Sequence, residues 1–243
     1  MMHYPYFANK ILDDYEMSNE EKQDEIMDNL TNEDKKEGKL ILVDGAKRGG
    51  KTGFGMWLID RYHERKPNLN YCFVSKRDNH PPLPSWFKFF KSVDELPNDC
   101  IALVDEGAIN LNARRAMSKE NVDASEELVI LAHKGITLII LVQHIKMVDS
   151  NVRRTADIRV LKFGINFGSD DNTSDDVKLI RSRLKPKNKT EAYIEIGAYQ
   201  IYRRLTHGLP SWWNDAVSKS WRDTHKSIDN KKESKKSVLD LLQ

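Results

Sequence analysis

The sequence predicts an α/β domain with a mostly parallel sheet covered by helices. Three observations carry that prediction: a series of short, almost uninterrupted apolar runs, helix-like stretches between them, and a glycine-rich turn directly after the first run. The runs are Leu40–Val43, Tyr71–Val74, Ile101–Val104, Ile136–Val142 and Ile158–Phe163. Each is too short for a buried helix and suits a strand buried on both faces. A chain of 243 residues is long enough for one such core with short terminal additions.

Ahead of the first run, Ser18 to Leu30 has the pattern of an amphipathic helix. Ser18 stands at the N-cap, Glu21 at the capping-box position, and Ile26, Met27 and Leu30 share a side. It reads as an appended arm. The first strand closes at Asp44-Gly45, and Met56-Trp57-Leu58-Ile59 begins a helical pattern soon after. Between the third and fourth runs, Ser118 to Lys134 forms the expected crossover helix, ending before Gly135. Ala192 to Leu205 alternates as a β-hairpin turning near Gly197. His80-Pro81-Pro82-Leu83-Pro84 reads as a rigid loop that Trp86, Phe87, Phe89 and Phe90 pack onto the core or a neighbouring subunit. Trp212, Trp213 and Trp221 read as packing residues, and Lys226 to Lys236 as a disordered stretch. The expected divisions are an acidic arm at 1–37, a nucleotide-binding domain at 38–208 and a tryptophan-bearing basic tail at 209–243.

Composition narrows the classes. Charged residues make up 31% of the chain, and its longest apolar run is far short of a membrane span. Met1 to Ile11 lacks the pattern of a secretory signal, so a cytoplasmic location is expected, in the host cytoplasm for a viral chain, or association with a virion or membrane complex. The net charge of +2 hides an uneven distribution. Asp13 to Glu37 holds eleven acids and three lysines, whereas Lys219 to Lys236 holds seven bases and three acids. A basic body suits a phosphate-backbone partner, although solvated faces are the better account of either terminus taken alone. The seven histidines show no HExxH spacing, and Cys72 and Cys100 offer no CxxC framework, so Mg²⁺ is the metal expected.

The chemistry concentrates at strand ends. Gly45-Ala46-Lys47-Arg48-Gly49-Gly50-Lys51-Thr52 fits GxxxxGK[ST] completely, with Gly53 following, and it stands between a strand and a helix. Backbone N–H groups and the positive helix end would converge there on a triphosphate such as ATP. Lys51 would reach the β- and γ-phosphates, and the Thr52 hydroxyl would ligate Mg²⁺. Asp105 and Glu106 end the third strand, at the edge where open α/β sheets bind ligands. Asp105 is the candidate for holding hydrated Mg²⁺, and Glu106 for orienting or deprotonating an attacking water. Gln143 ends the fourth strand and is placed to sense the γ-phosphate.

With those pieces in order, the sequence resembles the HerA/FtsK superfamily of P-loop DNA-translocating ATPases, which includes packaging ATPases of tailless DNA viruses and pumping ATPases of conjugation systems. The matching pieces are Gly45 to Thr52, Leu103 to Glu106, Leu131-Ala132-His133-Lys134-Gly135, Gln143 and Thr155 to Val160. The resemblance implies a RecA-like (ASCE) core that assembles as a ring, commonly a hexamer, with ATP between neighbours and double-stranded DNA in the pore. It also implies a capsid or membrane-apparatus partner and an arginine acting in trans. Many members carry that arginine before the His-x-Gly, where this chain has Ala132. Lys134 is the nearest substitute, and Arg114, Arg115, Arg153 and Arg154 are further candidates for a finger or a DNA contact. An ATP-dependent assembly or switch protein of a secretion, pilus or virion system remains open, as does a small-molecule kinase.

Overall fold

A computed structural model of the chain describes residues 5–31, 37–76, 82–105, 126, 128–143, 145, 148, 150–165, 174–196 and 201–219. Helices α1 (Pro5–Glu16) and α2 (Asn19–Thr31) precede strand β1 (Leu40–Asp44) and helix α3 (Lys51–Arg65). Then come β2 (Asn70–Val74), β3 (Phe87–Phe90) and β4 (Cys100–Val104). A helix α4, described over residues 128–133, leads into β5 (Thr137–Val142). Helix α5 (Ser150–Thr155), β6 (Ile158–Lys162), α6 (Asp175–Arg183), β7 (Glu191–Ile196) and β8 (Ile201–Thr206) complete the order.

The eight strands form an open sheet in the order β3-β2-β4-β5-β1-β6-β7-β8. From β3 through β6 every pairing is parallel, and β7 and β8 join antiparallel. Alternation along β1 shows why its sequence is apolar from Leu40 to Val43. Ile41 and Val43 face a core shared with α2 and α3, whereas Leu40 and Leu42 face a second core shared with α4 and α5. Burial from both sides leaves no polar position from Leu40 to Val43, and Asp44 comes only at the strand's end beside the loop. The crossover helix ends as expected, for Gly135 adopts φ 71° and its N–H donates to Ala132 O at 2.9 Å.

All five expected strands form, and so do both arms of the hairpin. Phe87–Phe90, expected only as aromatics that pack the proline loop onto the core, does pack there and is in addition a parallel edge strand, with Tyr71 opposite Phe87 and Val74 opposite Phe90. Buried Phe87 alternates with exposed Lys88, the pattern of an edge with one covered face. Trp86 stacks on His63 at 3.9 Å between ring centroids and meets Trp212 edge-on, so this aromatic group packs within the chain.

The capping box forms as expected. Ser18 N donates to Glu21 Oε2 at 2.7 Å, Glu21 N donates to Ser18 Oγ at 3.2 Å, and the first of these bonds lowers the Glu21 carboxyl below its ordinary range. The segment read as an arm lies along the outer edge of β8. Arg203 makes a two-pronged ion pair with Glu25 at 2.6 and 2.9 Å, and Arg204 N donates to Asp14 Oδ1 at 2.9 Å. Asn19 both accepts from Thr206 N and donates to Thr206 O. Side chains of the two helices thus take the place of a further strand on an edge that would otherwise invite pairing. Ile26, Met27 and Leu30 enter the main core. Ile26→Ala should therefore cost about 2–4 kcal/mol. Urea unfolding checks this, and an unchanged midpoint would show that α2 contributes nothing to the body.

Candidate active site

The glycine-rich loop joins β1 to α3 in the manner its spacing predicts. Gly45 N donates to Val142 O at 3.3 Å, which ties the start of the loop to the end of β5. Gly49 N closes a turn on Ala46 O at 2.9 Å, and Phe54 N donates to Gly50 O at 3.0 Å to open the helix. Arg48 and Gly50 both have positive φ, 65° and 89°. At Gly50 the requirement for glycine is also steric, because a Cβ would lie 2.5 Å from Lys189 O. At Gly49 it would lie 2.6 Å from Phe163 O.

No side chain caps α3. The N–H groups of its first turn have no acceptor within the helix, and an anion in the loop can serve them. Lys51 Nζ donates to Gly45 O at 2.7 Å and Ala46 O at 3.1 Å, so the ammonium already spans the loop. Lys47 and Arg48 are exposed, and Thr52 and Gly53 are half-buried.

Parallel strands bring the remaining candidates to the same edge. Val104 pairs with Ile140 and Asp44 pairs with Val142, so Asp105 and Gln143 follow strands that end beside the loop. Asp105 is 6% exposed, and its Oδ2 accepts from Ser75 Oγ at 3.4 Å. Ser75, which follows β2, was not singled out in the sequence; its signal is being the first polar residue after an apolar run. Glu106, Arg114 and Arg115 lie outside the described residues. Lys134 precedes β5, and Arg153 and Arg154 precede β6, which puts all three at the amino edge of the sheet. A strand of five or six residues separates them from the loop, about 17–20 Å.

A second group missed by sequence reasoning stands behind the loop. Lys162, at the end of β6, is fully buried, and its Nζ donates to Lys189 O at 2.9 Å, to Glu191 O, and to His207 Nε2 at 2.6 Å. His207 Nδ1 pairs with Gly208 O at 2.8 Å; a carbonyl can only accept, so the proton sits on Nδ1 and Nε2 is the acceptor. Burial brings the Lys162 ammonium down to about 7, opposed by the charge of Glu191. Burial, followed by the charge of Lys162, brings His207 down to about 4. Lys189 O, held by this lysine, is the carbonyl pressed against Gly50. Lys162 thus positions the wall of the phosphate loop.

Strand, loop and helix, with an aspartate two strands away at the same edge, define a P-loop NTPase of RecA-like fold. Residues 53–167 match the family described as zonular occludens toxin (Zot), starting one residue past the loop motif. None of the curated proteins matches the chain. The genome packaging NTPase B204 from Sulfolobus turreted icosahedral virus 2, in complex with ATP-gammaS, is 14% identical at a TM-score of 0.50, over 70% of this chain and 97% of that one. Its sulfate complex gives a TM-score of 0.52 at 12% identity, over 72% and 98%. The N-terminal domain of zonular occludens toxin from Neisseria meningitidis is 18% identical, over 72% and 96%, at a TM-score of 0.44. The resemblance to FtsK/HerA-type P-loop ATPases is borne out.

Proposed function

We propose that this chain is a Mg²⁺-dependent ATPase whose turnover moves double-stranded DNA, in packaging a viral genome or transferring mobile-element DNA. The observation that carries the reading is the meeting of the phosphate loop with Asp105 at one sheet edge. Likeness in fold to a genome packaging NTPase supports the choice of DNA as cargo. Gly45, Ala46, Lys47, Arg48, Gly49, Gly50, Lys51, Thr52 and Gly53 would hold the triphosphate. The Thr52 hydroxyl and the Asp105 carboxylate are oxygen donors of the kind a hard cation takes, so they fit Mg²⁺, which when bound would offset phosphate charge. Lys51 stabilises charge on the transferred group, Glu106 orients or deprotonates water, and Gln143 senses the γ-phosphate.

Lys134, Arg153 and Arg154 stand at the edge away from their own loop, which fits ATP sites shared between copies in a homo-oligomeric ring, six as the expected number. The arm 1–37 and the tail 209–243 flank the ATPase domain 38–208 and are the places for a capsid or membrane-apparatus partner. Among the described residues no helix is long and apolar enough to cross a membrane. A cytoplasmic site of action suits this arrangement.

Ala132, in place of the arginine common at that position, favours a second reading: an assembly or switch protein with slow turnover and no cargo. ATP hydrolysis measured with and without duplex DNA, alongside the mass of the particle, separates the two. The motor reading expects oligomers and several-fold stimulation that fades as salt rises. Turnover unaffected by DNA at every salt concentration would select the switch.

A further inference from the structure

The sheet order makes the two sides of the phosphate loop unlike. On one side of β1 stand β5 and β4, which end at Gln143 and Asp105. On the other stand β6, β7 and β8. Because β7 runs against its neighbours, the residues leading into it, 185–190, arrive at the same edge as the residues leaving β8, 207–210. A triphosphate whose metal-bearing end faces Asp105 must send its nucleoside toward that second side.

Leu209 waits there. It is 56% exposed, and its Cδ2 lies 3.4 Å from the place a Gly53 Cβ would occupy, next to the phosphate-loop threonine. Its exposure is built in, because the strap is held before and after it. His207 N donates to Thr190 O at 2.8 Å, and the His207 ring lies against Phe54 and Trp57. Pro210 is buried, and Ser211 N donates to Asp60 Oδ2 on α3 at 2.8 Å. The segment is thereby laid along the first three turns of the helix that the loop begins.

We propose that Leu209 is the platform on which the nucleoside base rests, and that the base is held by apolar contact rather than read by hydrogen bonds. The inference builds on the phosphate-loop assignment above. The strap's polar side chains are already committed: His207 to Lys162 and Gly208, and Ser211 to Asp60. An apolar shelf accepts either purine face and cannot strongly reject an exchanged ring substituent. Adenine and guanine nucleotides therefore bind alike.

Calorimetry with ADP, GDP and inorganic pyrophosphate tests this on the full chain. Wild-type protein should bind ADP and GDP within about fivefold of each other. Leu209→Ala should weaken both by about tenfold while leaving pyrophosphate affinity and the unfolding midpoint unchanged, since the side chain is exposed. Lys51→Ala should weaken all three ligands. ADP affinity untouched by Leu209→Ala would overturn the proposal, as would a wild-type preference between the purines of a hundredfold. Wild-type silence toward all three ligands would instead overturn the phosphate-loop assignment on which it stands.

Discussion

Lys51→Ala is expected to lower ATP turnover at least about a hundredfold and to weaken nucleotide binding with it. The ammonium sits across the loop on the Gly45 and Ala46 carbonyls, where its hydrogen bonds need only be exchanged for phosphate oxygens. Alanine leaves the backbone N–H groups but removes the charge that Lys51 sets across the loop. Lys51 is half-buried at the first position of α3, a place alanine occupies easily, so the unfolding midpoint should barely move. Glu106→Gln should behave differently. It keeps a hydrogen-bonding side chain without basicity, so analogue binding is retained while turnover falls by about 10²–10⁴. Single-turnover hydrolysis read beside calorimetry resolves the two variants. Hydrolysis by Lys51→Ala at the wild-type rate would remove this loop from the reaction.

That contrast follows from a motif legible in the sequence because its geometry is local. Gly45 to Thr52 are contiguous, and the positive φ at Gly50 and the helix start at Lys51 are properties of neighbours along the chain. The central strands were legible for a related reason: two covered faces exclude polar residues, and an unbroken apolar run records that exclusion. β3 carries no such record. As an edge strand it has the alternating Phe87-Lys88-Phe89, which in sequence reads only as aromatics packing the proline loop before them. Nor does strand order leave a trace in any one segment. Setting β1 between β5 and β6 gives the site an acidic side and a hairpin side, and that polarity arises only when distant strands pair. The Ser75–Asp105 contact spans 30 residues and the Lys162–His207 contact 45. Lys162 passes unremarked inside the run Ile158–Phe163, because a lysine's sequence neighbours say nothing about the carbonyls that will surround its nitrogen.

Folding stability should rise with pH on both sides of neutrality, and Lys162→Met should abolish the rise on the alkaline side. His207 takes up its proton near 6.5 when unfolded but only near 4 when folded, so between those values the unfolded chain binds more protons and stability climbs with pH. The same sign holds for Lys162, whose folded value of about 7 lies below the 10.5 of an exposed lysine. Below neutrality the folded protein bears the full cost of a buried ammonium. Above it, that cost recedes as the folded state releases its proton before the unfolded chain does. The lysine's contribution between pH 7 and 9 is about 2 kcal/mol, read from urea midpoints. Methionine fills nearly the same space without a charge, so its profile should be flat over that interval, while the slope on the acid side persists with His207. Lys162→Ala should lower stability by about 3–5 kcal/mol, because the Lys189 and Glu191 carbonyls and His207 Nε2 lose their donor and a cavity opens beneath Phe54. Since Lys189 O abuts Gly50, the alanine variant should also bind nucleotide more weakly than its remaining stability requires. Wild-type and methionine proteins with parallel midpoints from pH 7 to 9 would show that the buried nitrogen does not titrate there.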